Sequence, residues 1–157
     1  MAEAVRRGGA WIACRPGCCE CCIGPFSISQ SDAARLCEGM AQLDDAAAQR
    51  VRQRAESYVA TIRSHDQEGL PEDMDDVACP ALDPDTGTCD LYDARPITCR
   101  TFGPAVKTTD GAVATCELCF AGASEHEIAA CAVEIGRGAL ELDSPAATLV
   151  AFALLSF

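Results

Sequence analysis

Hydrophobic spacing along the chain predicts four helices separated by irregular, turn-rich segments. The first begins at Ser29 or Ser31, either of which is a competent N-cap, and carries Ala33, Leu36, Cys37 and Met40 on one face. A longer helix covers residues 44–65, where Val51, Ala55, Tyr58, Val59 and Ile62 recur at helical spacing. Asp44 and Asp45 open it in the sense the helix dipole favours. Arg50, Arg52, Arg54, Glu56 and Arg63 fall mostly off the apolar stripe, where water and local ion pairs satisfy them. Ser124 and Glu127 form a capping box at the head of a third helix through Ile128, Ala129 and Cys131. In the fourth, Ser144 is the N-cap and Pro145 the first helical residue, and residues 146–155 are apolar nearly all round, so this helix is expected to be buried.

Between the helices the periodicity breaks. Residues 1–13 read as a loose arm anchored at Trp11 and Ile12, and a Gly24-Pro25 turn leads Phe26 and Ile28 onto the core. Residues 67–76 are polar and acidic, a surface loop without the ordered ligand spacing of a calcium loop. Asp83-Pro84-Asp85-Thr86-Gly87 is a strong turn, flanked by Leu82 and Leu91, which pack or pair as short strands. Pro96 opens a turn or short helix that delivers Cys99, and residues 105–108 pair with 112–115 as a hairpin turned by Asp110-Gly111. Residues 138–142 form a short strand or loop. The expected fold is mainly α with irregular cysteine-rich loops and a short β-hairpin. It is a small, metal-stabilised single domain over residues 1–157, with the helices of 124–157 packed on the cysteine-bearing region 14–119.

Charge narrows the partners. The formal net charge is −12 and Lys107 is the only lysine, so the chain lacks the basic surface that phosphate contacts require. Nucleic acid is excluded as a partner, and an anionic membrane surface is disfavoured on the same ground. Arg6 and Arg7 are followed by only a brief apolar run, which makes no signal peptide, and residues 148–157 are too short to span a bilayer. These features place the protein in the cytoplasm, where thiols stay reduced and clustered cysteines bind metal.

The chemistry lies in the twelve cysteines. Residues 14–22 read CRPGCCECC, five cysteines in nine positions, a density that packing does not call for. Cys18 and Cys21, and Cys19 and Cys22, have C-x2-C spacing, and Cys14 stands C-x3-C from Cys18. Cys79, Cys89 and Cys99 follow at equal intervals, and Cys116 and Cys119 form another C-x2-C turn. Such turns aim two thiolates at one ion while their backbone N–H groups face the sulfurs. Cys37 and Cys131 sit in apolar runs and are most simply core residues, which leaves ten candidate metal ligands. A zinc site or a cubane cluster takes four thiolates, so eight of the ten fill two sites, or one site is accompanied by spare thiols. Neighbouring side chains in Cys18-Cys19 and Cys21-Cys22 diverge, so each pair serves two sites, or one ligand and one packing role. Arg15, Arg95 and Arg100 lie beside cysteines and either offset thiolate charge or pair with surface carboxylates. His65 and His126 sit at helix ends and are not expected to be ligands, and no acid–base pair or nucleophile stands out.

The combination of motifs resembles the CxxCxxCC cysteine-cluster proteins, also called the YkgJ family. Cys18, Cys21 and Cys22 match C-x2-C-x2-CC, whose first cysteine falls at Arg15, one residue after Cys14. Cys79, Cys89, Tyr92, Arg95, Pro96, Cys99 and Arg100 match the second motif. The resemblance implies zinc or iron chelation, or an iron–sulfur cluster of the 4Fe–4S type, with Cys116 or Cys119 as the last ligand. Flagellin lysine N-methylases share a similar cysteine pattern. A metal-chelating protein is therefore the leading expectation. The rivals are a cluster-dependent redox or group-transfer enzyme with an open coordination position, and a thiol–disulfide or metal-sequestering protein.

Overall fold

The computed structural model describes residues 2–63, 76–108, 110–135 and 148–156. Within them lie helices α1 (Ala2–Gly8), α2 (Gln30–Met40), α3 (Asp45–Arg63), α4 (Ile97–Thr101), α5 (Glu125–Cys131) and α6 (Val150–Leu155). The strands are two-residue segments: β1 (Ser27–Ile28), β2 (Leu82–Asp83), β3 (Thr88–Cys89), β4 (Val106–Lys107), β5 (Val113–Ala114), β6 (Val133–Glu134) and β7 (Thr148–Leu149). The chain is thus mainly helical with short strands and long irregular connections. No described helix is long and apolar enough to cross a membrane.

The predicted helices form where their local signals are strong. The Ser29 hydroxyl accepts the Asp32 N–H at 3.1 Å and caps α2. The Asp44 carboxylate accepts the Ala47 N–H at 2.8 Å and caps α3. The Ser124–Glu127 capping box is complete at α5. Along α3 the stripe buries Val51, Ala55, Tyr58 and Val59 against α6. The main core gathers Ile28, Leu36, Met40, Val51, Leu82, Leu91, Val150 and Leu154 from α2, α3, α6 and the cysteine loops. A second cluster collects Ala105, Cys116, Cys119, Phe120 and Ala132, with Ile12 and Ile128 packed on it. Arg54 on α3 ties the helical layer to the loops, donating to the Pro80 carbonyl at 2.7 Å and pairing with Asp90.

Several expectations need correction. Residues 2–8 are not a loose arm but α1, held by Glu3 between Arg6 and Arg7 and docked on α5. Arg7 donates to the Ala132 carbonyl at 3.1 Å, and Cys131 donates to the Arg7 carbonyl at 3.3 Å. The arm is anchored at Trp11 as expected, stacked on Phe120. The last helix begins later than its apolar run, because Thr148 and Leu149 pair antiparallel with Ile28 and Ser27. Its expected cap and first residue, Ser144 and Pro145, lie outside the described residues, as do the segment 138–142, His65 and nearly all of the loop 67–76. The hairpin forms as β4 and β5, and β6 adds to it in parallel, an addition the hydrophobic pattern did not signal. Leu82 pairs with Cys89 rather than Leu91, and both leucines pack in the main core. Cys37 and Cys131 are half-buried rather than core residues, and the Cys37 thiol donates to the Ala153 carbonyl at 3.6 Å.

Gly39 lies within α2, where glycine weakens a helix by about 1 kcal/mol relative to alanine. A Cβ there would stand 2.5 Å from the Ala94 Cβ and 3.3 Å from Leu91 Cδ2. Overpacking a closed contact costs about 1–3 kcal/mol, so sterics outweigh propensity. Gly39→Ala is expected to lower the chemical-denaturation midpoint, and adding Ala94→Gly to recover part of the loss. A raised midpoint in the single variant would show that α2 slides freely off the turn at 92–94.

Candidate metal centre

The cysteine loops are positioned by backbone hydrogen bonds. A turn closed by Cys18 N–H to the Arg15 carbonyl at 2.9 Å presents Cys14 and Cys18. A 3-10 turn, Glu20–Cys22, follows, with Cys22 N–H donating to the Cys19 carbonyl at 2.7 Å. This strand-like exit from the turn is clamped to the second cysteine segment. Cys79 N–H donates to the Cys22 carbonyl at 2.6 Å, Gly24 N–H to the Val77 carbonyl at 2.9 Å, and Ile23 forms a bridge with Ala78. The β2–β3 hairpin carries Cys89 back beside Cys79, and α4, entered from Pro96, carries Cys99. The last turn is closed by Cys119 N–H to the Cys116 carbonyl at 2.9 Å, and Cys116 N–H donates to the Gly103 carbonyl at 3.3 Å.

Of the ten candidate cysteines, nine fall into two groups. Cys14 neighbours Cys119, Cys18 and Cys116. Separately, Cys22 neighbours Cys21, Cys79 and Cys89, and Cys99 neighbours Cys79, Cys21 and Cys89. The groups rest on different hydrophobic clusters: Cys22 and Cys79 belong to the main core, Cys116 and Cys119 to the second. A cleft of about 480 Å³ opens onto both, with Cys14, Cys18 and Cys116 of the first group and Cys21, Cys22, Cys89 and Cys99 of the second. Cys19 packs against the main core, as Cys21 and Cys89 do. Cys21 and Cys22 do not diverge as adjacent side chains were expected to: their sulfurs lie 3.9 Å apart, because a 3-10 turn does not alternate its side chains as a strand does.

Burial raises most of these thiols, and local donors work against it. Burial pushes Cys79 up to about 11, opposed by the Ala81 N–H that faces its sulfur. Cys89 is raised by burial and opposed by the Leu91 N–H, and Cys116 by burial and opposed by the N–H groups of Leu118 and Cys119. At all three sulfurs the amide two residues downstream favours the thiolate. Cys99 is pushed up to about 12, by burial first and then by the neighbouring thiolates, with Arg95 in opposition. Cys14 is raised to about 11, by burial first and then by Cys119. Cys21 is lowered to about 6, mainly by the hydrogen bond with Cys22, with Arg95 assisting, and Cys22 is raised in turn.

The arginines divide their work. Arg95 lies 3.7 Å from the centre of the Tyr92 ring and faces the thiols, whereas Arg100 donates to the carbonyls of Arg95 and Asp93 and holds that turn in place. Arg15 lines the cleft. Tyr92, 60% exposed, and Phe102 also line it. His126 is exposed at the start of α5. Gly103 is a site residue that motif reading passed over. Its φ is +116°, and a Cβ on it would stand 2.6 Å from Cys14 Sγ. The Phe102-Gly103-Pro104 turn was the available signal.

Among the described residues, no three Cys, His, Asp or Glu side chains are arranged so as to hold a metal ion. Among the described residues the thiols converge without reaching coordination geometry, and burial is the first cause that raises Cys14, Cys79, Cys89, Cys99 and Cys116. The donor set nonetheless fits zinc or iron. It consists of soft sulfur ligands, with backbone amides facing the sulfurs and an arginine beside them, and it is unsuited to magnesium or calcium. In α4 the Thr98 hydroxyl, next to Cys99, is buried without a hydrogen-bond partner.

No curated protein and no solved structure matches the chain. Residues 13–120 match the family model CxxCxxCC, described as "Putative zinc- or iron-chelating domain". That span covers most of the chain and contains both cysteine groups. The chain belongs to the CxxCxxCC family of zinc- or iron-chelating domains and is a metal chelator that works through its clustered cysteines.

Proposed function

We propose that the chelated metal is held by four of the five thiols Cys21, Cys22, Cys79, Cys89 and Cys99, as a tetrathiolate zinc or an iron–sulfur cluster in a metal-stabilised cytoplasmic domain. The observation that carries this reading is the convergence of five thiols from three chain segments, with amide N–H groups facing the sulfurs of Cys79 and Cys89 and Arg95 beside Cys21. Zinc sulfur bonds of about 2.3 Å place tetrahedral ligands roughly 3.8 Å apart. The Cys21 and Cys22 sulfurs stand at 3.9 Å. Metal binding by thiols releases protons, and Arg95 stabilises the thiolates that remain.

Magnitudes favour closure of the site. Immobilising a side chain costs roughly 0.5–1.5 kcal/mol. Structural zinc binding contributes about 10–16 kcal/mol at neutral pH, well above the cost of drawing in four short side chains. The twelve unpaired thiols suit a reducing compartment.

Protein purified without oxygen is expected to carry zinc, or iron with acid-labile sulfide, and Cys79→Ser and Cys89→Ser to reduce that content. Zinc without colour assigns a structural ion, and brown protein with equal iron and sulfide assigns a cluster. Full metal content in both serine variants, or a well-folded wild type with none, would overturn the ligand assignment.

Removing the metal should also destabilise the fold. A ligand present at a thousandfold its Kd stabilises by about 4 kcal/mol, which for a chain of this size corresponds to a melting shift on the order of 10 °C. Chelator treatment under reducing conditions is expected to produce a shift of that order with loss of near-UV circular dichroism. An unchanged melt and spectrum after verified metal removal would separate chelation from folding.

A further inference from the structure

Cys14, Cys18, Cys116 and Cys119 form a group of their own, made from two turns that lie far apart in sequence. Cys14 and Cys18 have C-x3-C spacing and Cys116 and Cys119 C-x2-C spacing, both within the range that presents a pair of thiolates to one zinc ion. The turns are fastened to each other independently of the first group. Phe120 N–H donates to the Trp11 carbonyl at 3.0 Å, and the Trp11 and Phe120 rings stack at 6.3 Å. Cys116 N–H reaches the Gly103 carbonyl. Gly103 also sets the space: a Cβ there would lie 2.6 Å from Cys14 Sγ and 3.9 Å from Cys119 Sγ. Glycine leaves open the place where sulfurs from the two turns approach each other. Backbone N–H groups of Leu118 and Cys119 face the Cys116 sulfur, the arrangement found at Cys79 and Cys89.

We infer that Cys14, Cys18, Cys116 and Cys119 make a second, separate tetrathiolate site for one zinc-class divalent ion, joining the N-terminal turn to the C-x2-C turn. The inference rests on the reading that the first group is itself a metal centre. Four thiolates in two short chelate turns match a single ion, and the soft donor set selects against oxygen-seeking cations. Cys19 packs on the main core, away from the second cluster that carries Cys116 and Cys119.

The test is metal stoichiometry at the two groups, read by elemental analysis and by cobalt(II) titration of metal-depleted, reduced full-length protein. Wild type is expected to take up two cobalt ions per chain with thiolate charge-transfer absorption. Cys116→Ser/Cys119→Ser should retain one, and Cys79→Ser/Cys89→Ser should retain the other. Gly103→Ala, which crowds Cys14, is expected to weaken one of the two binding steps at least tenfold and leave the other unchanged. Unchanged metal content in Cys116→Ser/Cys119→Ser overturns the second site and leaves the first intact. Loss of all metal in that folded variant also overturns it, because the thiols then form one shared centre. Loss at neither serine pair, or no uptake by wild type, brings down the first assignment as well. Should a serine variant fail to fold, wild-type saturation decides: one cobalt per chain refutes two sites, and two support them.

Discussion

The hydrogen bond from Cys79 N–H to the Cys22 carbonyl joins the two halves of the metal-binding region. Flanked by the Ile23–Ala78 bridge, it brings the cysteine-rich turn against a segment more than fifty residues later in the chain. Closing so long a loop costs entropy that a pair of backbone bonds cannot offset alone. The helices supply the difference. The layer of α2, α3 and α6 buries Leu36, Val51 and Leu154 beneath the joint, and Cys22 and Cys79 are themselves part of that core. Arg54 reaches from α3 to the Pro80 carbonyl one residue beyond. The apolar layer and the sulfur sites are thus one construction: the helices present the loops, and the loops bring the thiols together.

Energetically the two parts are of similar weight. The net stability of a domain is about 5–15 kcal/mol, the same order as the free energy of binding one structural zinc ion. A chain that relies on two-residue strands and irregular turns has few repeating hydrogen bonds in these regions, and its aromatic content is low. On the proposed reading, metal ligation compensates where secondary structure is thin. The thiols are held near one another, and burial opposes negative charge on Cys79 and Cys99.

What could be read from the residues follows the range of each signal. Ser29, Asp44 and the Ser124–Glu127 pair mark helix starts because capping is a local interaction, complete within four residues. The turn at Asp110-Gly111 and the short helix after Pro96 are local in the same sense. Helix α1 was hidden because it is docked on α5, more than a hundred residues away, with Arg7 donating to the Ala132 carbonyl. Strands β6 and β7 were hidden because each is two residues long and exists only against a distant partner. Motif spacing named the ten thiols but could not divide them. The division depends on which hydrophobic cluster each turn rests upon, a property of the folded chain. The 3-10 turn that puts the Cys21 and Cys22 sulfurs side by side has no cue in their adjacency.

The pairing of Cys14 with Cys119 has a consequence for how the protein is made. During synthesis the first five cysteines leave the ribosome while their partners are still untranslated. At about 5–20 residues per second, the interval between Cys14 and Cys119 is on the order of 5–20 s. Throughout that time a dense run of thiols is exposed without its complement, open to oxidation and to whatever soft ion is nearest. Correct loading is therefore a problem of timing as much as of affinity, and the cell's handling of free metal and reductant becomes part of the folding pathway.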